Sequence, residues 1–285
     1  MELIFIAALC SVAVSILLKV CSNTGFIPLQ MIAWNYAAAS VLCFFWFKPD
    51  IVHLSFTHTP WLLIVALGGL LPSVFLFLAK SLQTAGILKT EIAQRLSVIL
   101  SLSAAYFIFN EQFNHYKWLG IVCGILAIVL ILFSQRSSTQ LTKDQGILYL
   151  ILVWIGYACI DILLKYTTGL GLQFTVALNL VFVAAFILAL SYIKLTCGHF
   201  GQRKNIVAGL GLGVINFANI ALYVKAHLLL KDTPAIVFAT MNLLVVIFGV
   251  MSGLLFFKER LKVSAAIGLI LGIFSVACLA YAMTA

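Results

Sequence analysis

The apolar stretches of this chain are each about as long as a bilayer is thick, and they follow one another almost without pause. A helix needs about 20 apolar residues to cross about 30 Å of hydrocarbon. Lipid offers no partner to exposed backbone N–H and C=O groups, so a helix that satisfies its own is the natural spanning form. The sequence predicts ten spans: 3–22, 27–47, 61–80, 86–109, 117–134, 146–166, 172–193, 206–228, 233–257 and 263–283. The connectors, such as KPD at 48–50, GHFGQRKN at 198–205 and KERLK at 258–262, are too short for a soluble catalytic domain. Composition agrees, with 64% of residues hydrophobic and 9% charged. A soluble domain carries about a quarter. The expectation is an all-α, multi-pass integral membrane protein, placed in a bacterial inner membrane and surrounded by lipid.

The formal charge of +9 does not suggest nucleic acid, because the 17 Lys and Arg are scattered among helix ends. The seven cysteines show no CxxC and no Cys/His ligand spacing. Most fall within or beside apolar runs, where Cys behaves as a small apolar residue. The first run begins at Leu3 without a basic leader or a cleavage site, as expected of a retained helix. There is no P-loop and no HExxH, so neither ATP-driven chemistry, an enzyme, a metal nor a cofactor is expected.

The chain repeats itself. SILLKV at 15–20 matches DILLKY at 161–166, and LQMIAWNY at 29–36 resembles LQFTVALNL at 172–180. FNEQFNHYKWLGIVCGILAIVLI from Phe109 parallels FKERLKVSAAIGLILGIFSVACL from Phe257, aligning Glu111 with Glu259. Residues 1–140 and 141–285 are expected to form two five-helix units. Five is odd, so the second enters the membrane inverted. Loops after odd-numbered spans carry most of the basic residues, among them Arg136, Lys143, Lys194, Arg203, Lys204, Lys258, Arg260 and Lys262. The positive-inside rule then puts both termini outside.

The pattern closing each half is a Glu at a helix exit, a tight loop and a glycine-spaced last helix. It resembles the EamA-type members of the drug/metabolite transporter superfamily, over the whole chain. The resemblance implies a cavity between the repeats, with the fifth and tenth spans as outer supports. It also implies export or exchange of amino acids, drugs, sugars or other metabolites. Ten-helix relatives are drawn with both termini in the cytoplasm, opposite to the charge count, so orientation stays open.

Ionisable groups at membrane depth are costly and usually face a cavity or a partner. With about 1.5 Å of rise per residue, Lys19 lies about 24 Å into its span and Arg95 about 14 Å into the fourth. Lys19 and Lys80 approach one face, and Lys165 and Lys225 the other. The repeat makes Lys19 and Lys165 vestibule charges, one for each side. Asp161 stands one turn before Lys165 and can neutralise it. Ser15 holds that place before Lys19, leaving the lysine available to an anionic substrate. At the fourth span, KTEIAQRLS places Glu91 and Arg95 one turn apart near mid-membrane. The ninth offers Asn242 and Leu243 in place of Gln94 and Arg95. A repeat that breaks its symmetry at the midplane marks a candidate substrate or coupling site. Arg95 is suited to clamp a carboxylate or phosphate, and Glu91 and Asp161 to carry a coupling proton. The bland alternative is a Glu91–Arg95 pair that only orders its helix.

Asn35 and Asn179 read as interhelical bridges. Asn216 and Asn219 follow GLGLG at 209–213, where small residues permit close helix approach or a local break, and Pro72 is the near counterpart. Trp34, Tyr157 and Tyr223 are candidate cavity walls. Glu111 and Glu259 read as anchors of the tight loops, capping the helix that follows. His227 is a weak relay candidate, and His53 and His58 read as loop residues. The function expected is secondary transport of a small anionic or zwitterionic metabolite by alternating access, with proton or counter-substrate coupling. A multidrug exporter of the same fold, or a membrane scaffold without transport, are the competing classes.

Overall fold

The computed structural model describes residues 2–51, 59–109, 113–133, 140–198, 200–230, 234–260 and 262–282. The described residues form eleven helices and no strand. These are α1 (Glu2–Asn23), α2 (Pro28–Phe47), α3 (Trp61–Thr84), α4 (Ile87–Arg95), α5 (Ser97–Phe109), α6 (His115–Phe133), α7 (Gln140–Gly169), α8 (Phe174–Cys197), α9 (Arg203–Leu229), α10 (Pro234–Leu255) and α11 (Val263–Ala282). Nine are long and apolar enough to cross a membrane alone, and α4 with α5 make the fourth crossing in two pieces. The chain is therefore a polytopic membrane protein of ten crossings. An even number puts both ends at one face, called here the terminal face, and α1 runs from it to the far face.

Exchange of the two halves maps one set of contacts onto the other. Helix α1 packs on α9 as α7 packs on α3, and α2 on α9 as α8 on α3. Likewise α1 meets α10 as α7 meets α4 and α5, while α2–α8, α4–α10 and α6–α11 are their own counterparts. That is an inverted repeat written in packing. Its main core joins α1, α2, α3, α8 and α9 through residues such as Leu18, Met31, Phe75, Phe182 and Leu212. Outward faces carry exposed apolar side chains such as Leu62, Phe133 and Leu195, as suits a protein whose outer solvent is hydrocarbon.

The interruption falls elsewhere than at the expected places. Helix α3 runs through Pro72 and α9 runs unbroken through residues 209–213. The glycines of α9 serve approach instead: a Cβ on Gly213 would stand 2.5 Å from the Asn35 carbonyl oxygen. No side chain fits there, so α2 and α9 lie backbone against backbone. The break comes at Leu96, between α4 and α5. Two side chains take up carbonyls at the break. Ser97 Oγ donates to the Gln94 carbonyl at 2.7 Å and Trp154 Nε1 to that of Leu96 at 3.0 Å. Backbone irregularity at membrane depth is tolerable because protein groups re-satisfy it. The equivalent α10 crosses unbroken.

Candidate functional site

Arg95 ends α4, about 12 Å along the helix from Ile87. A cation suits that position because the carbonyl end of a helix is electronegative. Its guanidinium does not close on Glu91. Arg95 Nη2 donates to Ser11 Oγ at 2.6 Å, and Ser15 Oγ donates to Glu91 Oε1. Both side chains turn to α1, and no ion pair joins them among the described residues. In place of the bland alternative, a Glu91–Arg95 pair within one helix, stand two rungs between helices. Glu91 is buried, its Oε2 has no hydrogen-bond partner, and the same holds for Arg95 Nε.

A third rung follows at the same spacing. Lys19 is buried and ion-paired to Glu259, and its ammonium lies 4.2 Å from the Phe257 ring centre. The Glu259 carboxylate also accepts the N–H groups of Ile87 at 2.7 Å and Leu88 at 3.1 Å. It therefore caps α4, where a helix N-terminus favours an anion. This corrects two expectations. Lys19 is not an unpaired cation, and Glu259 caps a helix of the other repeat rather than the one that follows it. Gly86 completes the arrangement with φ +93°, and a Cβ there would stand 2.7 Å from the carboxylate. Glu111, its counterpart, lies outside the described residues, as do His53 and His58.

Asp161 faces the same interior from α7. It is exposed although about 12 Å from the end of its helix, and it accepts from Ser101 Oγ of α5 at 3.1 Å. Arg95 acts electrostatically on Glu91, Asp161, Tyr157 and Tyr223 alike. The structure therefore gathers Arg95, Glu91, Asp161, Tyr157 and Tyr223 around one centre, fed by α1, α4, α5, α7 and α9. Asn242 and Leu243 of α10 border a small cleft beside Arg95, and Asn242 Nδ2 donates to the Phe238 carbonyl of its own helix at 2.9 Å. Gln94 adjoins Arg95 in sequence and is half-buried. Ser11 and Ser101 were not singled out from the sequence, since a serine in an apolar helix carries no signal until its partner is known.

A cavity of about 240 Å³ opens in the terminal half of the bundle, walled by Leu67, Phe75, Phe182, Tyr157 and Asn216 among others. Asn216 Nδ2 donates to Asn35 Oδ1 at 3.2 Å, and Asn179 Nδ2 to the Ser40 carbonyl at 3.0 Å. Asn219 Oδ1 is buried without a partner. Other residues stand apart from the centre. Trp34 Nε1 donates to the Phe200 carbonyl at 3.0 Å, which fixes the indole against the loop before α9 at the far face. Lys165 is exposed toward the terminal face, unlike buried Lys19. Lys80 and Lys225 lie by the rings of Tyr149 and Trp46. The ring of His227 packs edge-on against Tyr223, with centroids 4.5 Å apart.

Comparison with known proteins fits this geometry. An uncharacterized protein of Haemophilus influenzae is 38% identical over 287 residues, covering 98% of this chain and 97% of that one. A protein of known crystal structure shares the fold with a TM-score of 0.55 at 14% identity, covering 95% of this chain and 96% of that one. The EamA-like transporter family matches twice, over residues 1–133 and 144–281. With both halves matched and the packing doubled in the same way, this chain belongs to the EamA-like transporter family, a family of multi-pass membrane transporters in the drug/metabolite transporter superfamily.

Proposed function

We propose that the protein is a secondary transporter of a small metabolite bearing a carboxylate or phosphate, an amino acid or organic anion above all. The observation that carries this reading is the pair of unpartnered buried atoms at the centre, Arg95 Nε and Glu91 Oε2. A buried polar atom left unpaired costs free energy, and a ligand that supplies the partner recovers it. Arg95 spends one nitrogen on Ser11 and keeps another for a substrate oxygen. Asp161, exposed on the opposite wall, is placed to receive a substrate ammonium, so a zwitterion fits as well as a simple anion. Tyr157, Asn216 and Asn219 supply further polar contacts beside it. Glu91 and Asp161 are the proton-coupling candidates, a counter-substrate being the other means of driving the cycle. Alternating access then exposes the centre to each face in turn.

The test is a thermal-shift panel on purified protein, with amino acids, organic acids, sugars, inorganic phosphate and quaternary amines. Stabilisation by a carboxylate or phosphate compound, lost in Arg95→Ala, is the expected result. Stabilisation by quaternary amines alone, unchanged in Arg95→Ala, overturns it. That outcome would favour the second reading, a multidrug exporter, which the apolar walls of the 240 Å³ cavity support.

A further inference from the structure

Positions 11, 15 and 19 of α1 fall four apart, and so do positions 95, 91 and 87 of α4. On a helix that spacing is one face. The two faces run antiparallel and meet rung by rung: Ser11 with Arg95, Ser15 with Glu91, and Lys19, through Glu259, with the first N–H groups of α4. The last rung lies at the far face and belongs to both repeats, because Glu259 comes from the segment after α10.

The two inner rungs have no counterpart among the described residues of α7 and α10, and Glu111, which would match Glu259, lies outside the described residues. In the matching register α7 offers Tyr157, Asp161 and Lys165, while α10 offers Leu243 and Ala239, which can neither donate nor accept through their side chains. Asp161 and Lys165 are exposed where Ser15 and Lys19 are buried. The 240 Å³ cavity lies in that terminal half, while described residues of the far half such as Leu18, Leu78 and Leu82 pack into the main core.

We infer that the α1–α4 ladder is the far-face gate of the transporter, with Glu259 as its lock and Lys19 and the α4 N-terminus as the two groups it holds. The inference rests on the alternating-access reading above. Glu259 neutralises a buried ammonium and caps a helix with the same two oxygens. Withdrawing the α10 exit from α1 and α4 together breaks both at once, so the gate opens as a unit. Its central end is Arg95. A substrate oxygen that draws the guanidinium from Ser11 removes the innermost rung, which couples occupancy of the site to release of the gate. Glu259 and Lys19 act here as positioning residues and touch no substrate.

Hydrogen exchange read by mass spectrometry, on the full chain in nanodiscs, tests this without knowledge of the substrate. Glu259→Gln should speed exchange about tenfold over residues 86–95 and 12–24. It should also slow exchange over 157–169, as the terminal face closes in return. Lys19→Met keeps the helix cap but removes the cation, and should give the same reciprocal change at smaller amplitude. Faster exchange confined to the first amides of α4 in Glu259→Gln, with nothing altered at 157–169 in either variant, would mean a helix cap alone and overturn the gate. A failed thermal-shift panel would sink the anion reading and leave this exchange pattern intact, so the two ideas fail separately.

Discussion

Lys19 and Lys165 close the same motif in the two halves, yet one is buried on a carboxylate and the other is exposed. The motif fixes where each lysine sits along its helix; the facing fourth or ninth crossing fixes which side chains line the rest of that helix face. In the first half that neighbour is α4, broken at Leu96 and carrying Glu91 and Arg95 toward α1. In the second it is α10, unbroken and lacking charge at the matching positions. An inverted repeat can therefore keep its architecture while giving its two halves different side chains at the centre.

Five substitutions sharpen or break that contrast. Arg95→Ala removes the one central cation of the first half, and transport into proteoliposomes of any carboxylate found to stabilise the protein should fall at least about 100-fold. Unchanged kinetics would show that the halves do not differ at the centre in function. Glu259→Ala strands buried Lys19 and uncaps α4, and should destabilise by about 3–5 kcal/mol, seen as a lower melting temperature in detergent. Lys165→Met, where the lysine is exposed, should lower it far less. If the two variants melt alike, burial does not distinguish the repeats. Gly86→Ala forces a side chain onto a left-handed backbone and against the Glu259 carboxylate; a loss of about 1–3 kcal/mol is expected. Asn216→Leu removes one interhelical amide bond and should cost about 1 kcal/mol or less, which a small melting shift would register.

Much of this was legible in the residues. Span number, inversion and the midplane asymmetry at Arg95 follow from apolar length, from two copies of a five-helix pattern and from one mismatched position. Asn35 and Asn179 bridge helices as intramembrane amides are expected to. The misreadings have a common physical cause. Along the chain Lys19 has no acidic neighbour one turn away, whereas its partner is 240 residues distant. Chain proximity likewise points Glu259 to the following helix, whereas the N–H groups it accepts belong to α4. Pro72 and the glycines of α9 suggested breaks, but tertiary packing used the glycines for close approach and kept both helices whole. Nothing in a run such as RLSV marks a break at Leu96, which is held open by Trp154 from another helix.

That single residue has a mechanical meaning. Helix α4 packs on α10 and α7 and is hydrogen-bonded to α1, whereas α5 lies chiefly along α7. On the α4 side of the joint at Leu96 the fourth crossing thus meets α1 and α10 as well as α7, with an indole of α7 as its pin. Such a joint lets the inner and outer parts of one crossing tilt by different amounts, so the two sides of the membrane need not move as the ends of one rigid lever. The crossing that holds the central arginine is also the one that can bend beside it.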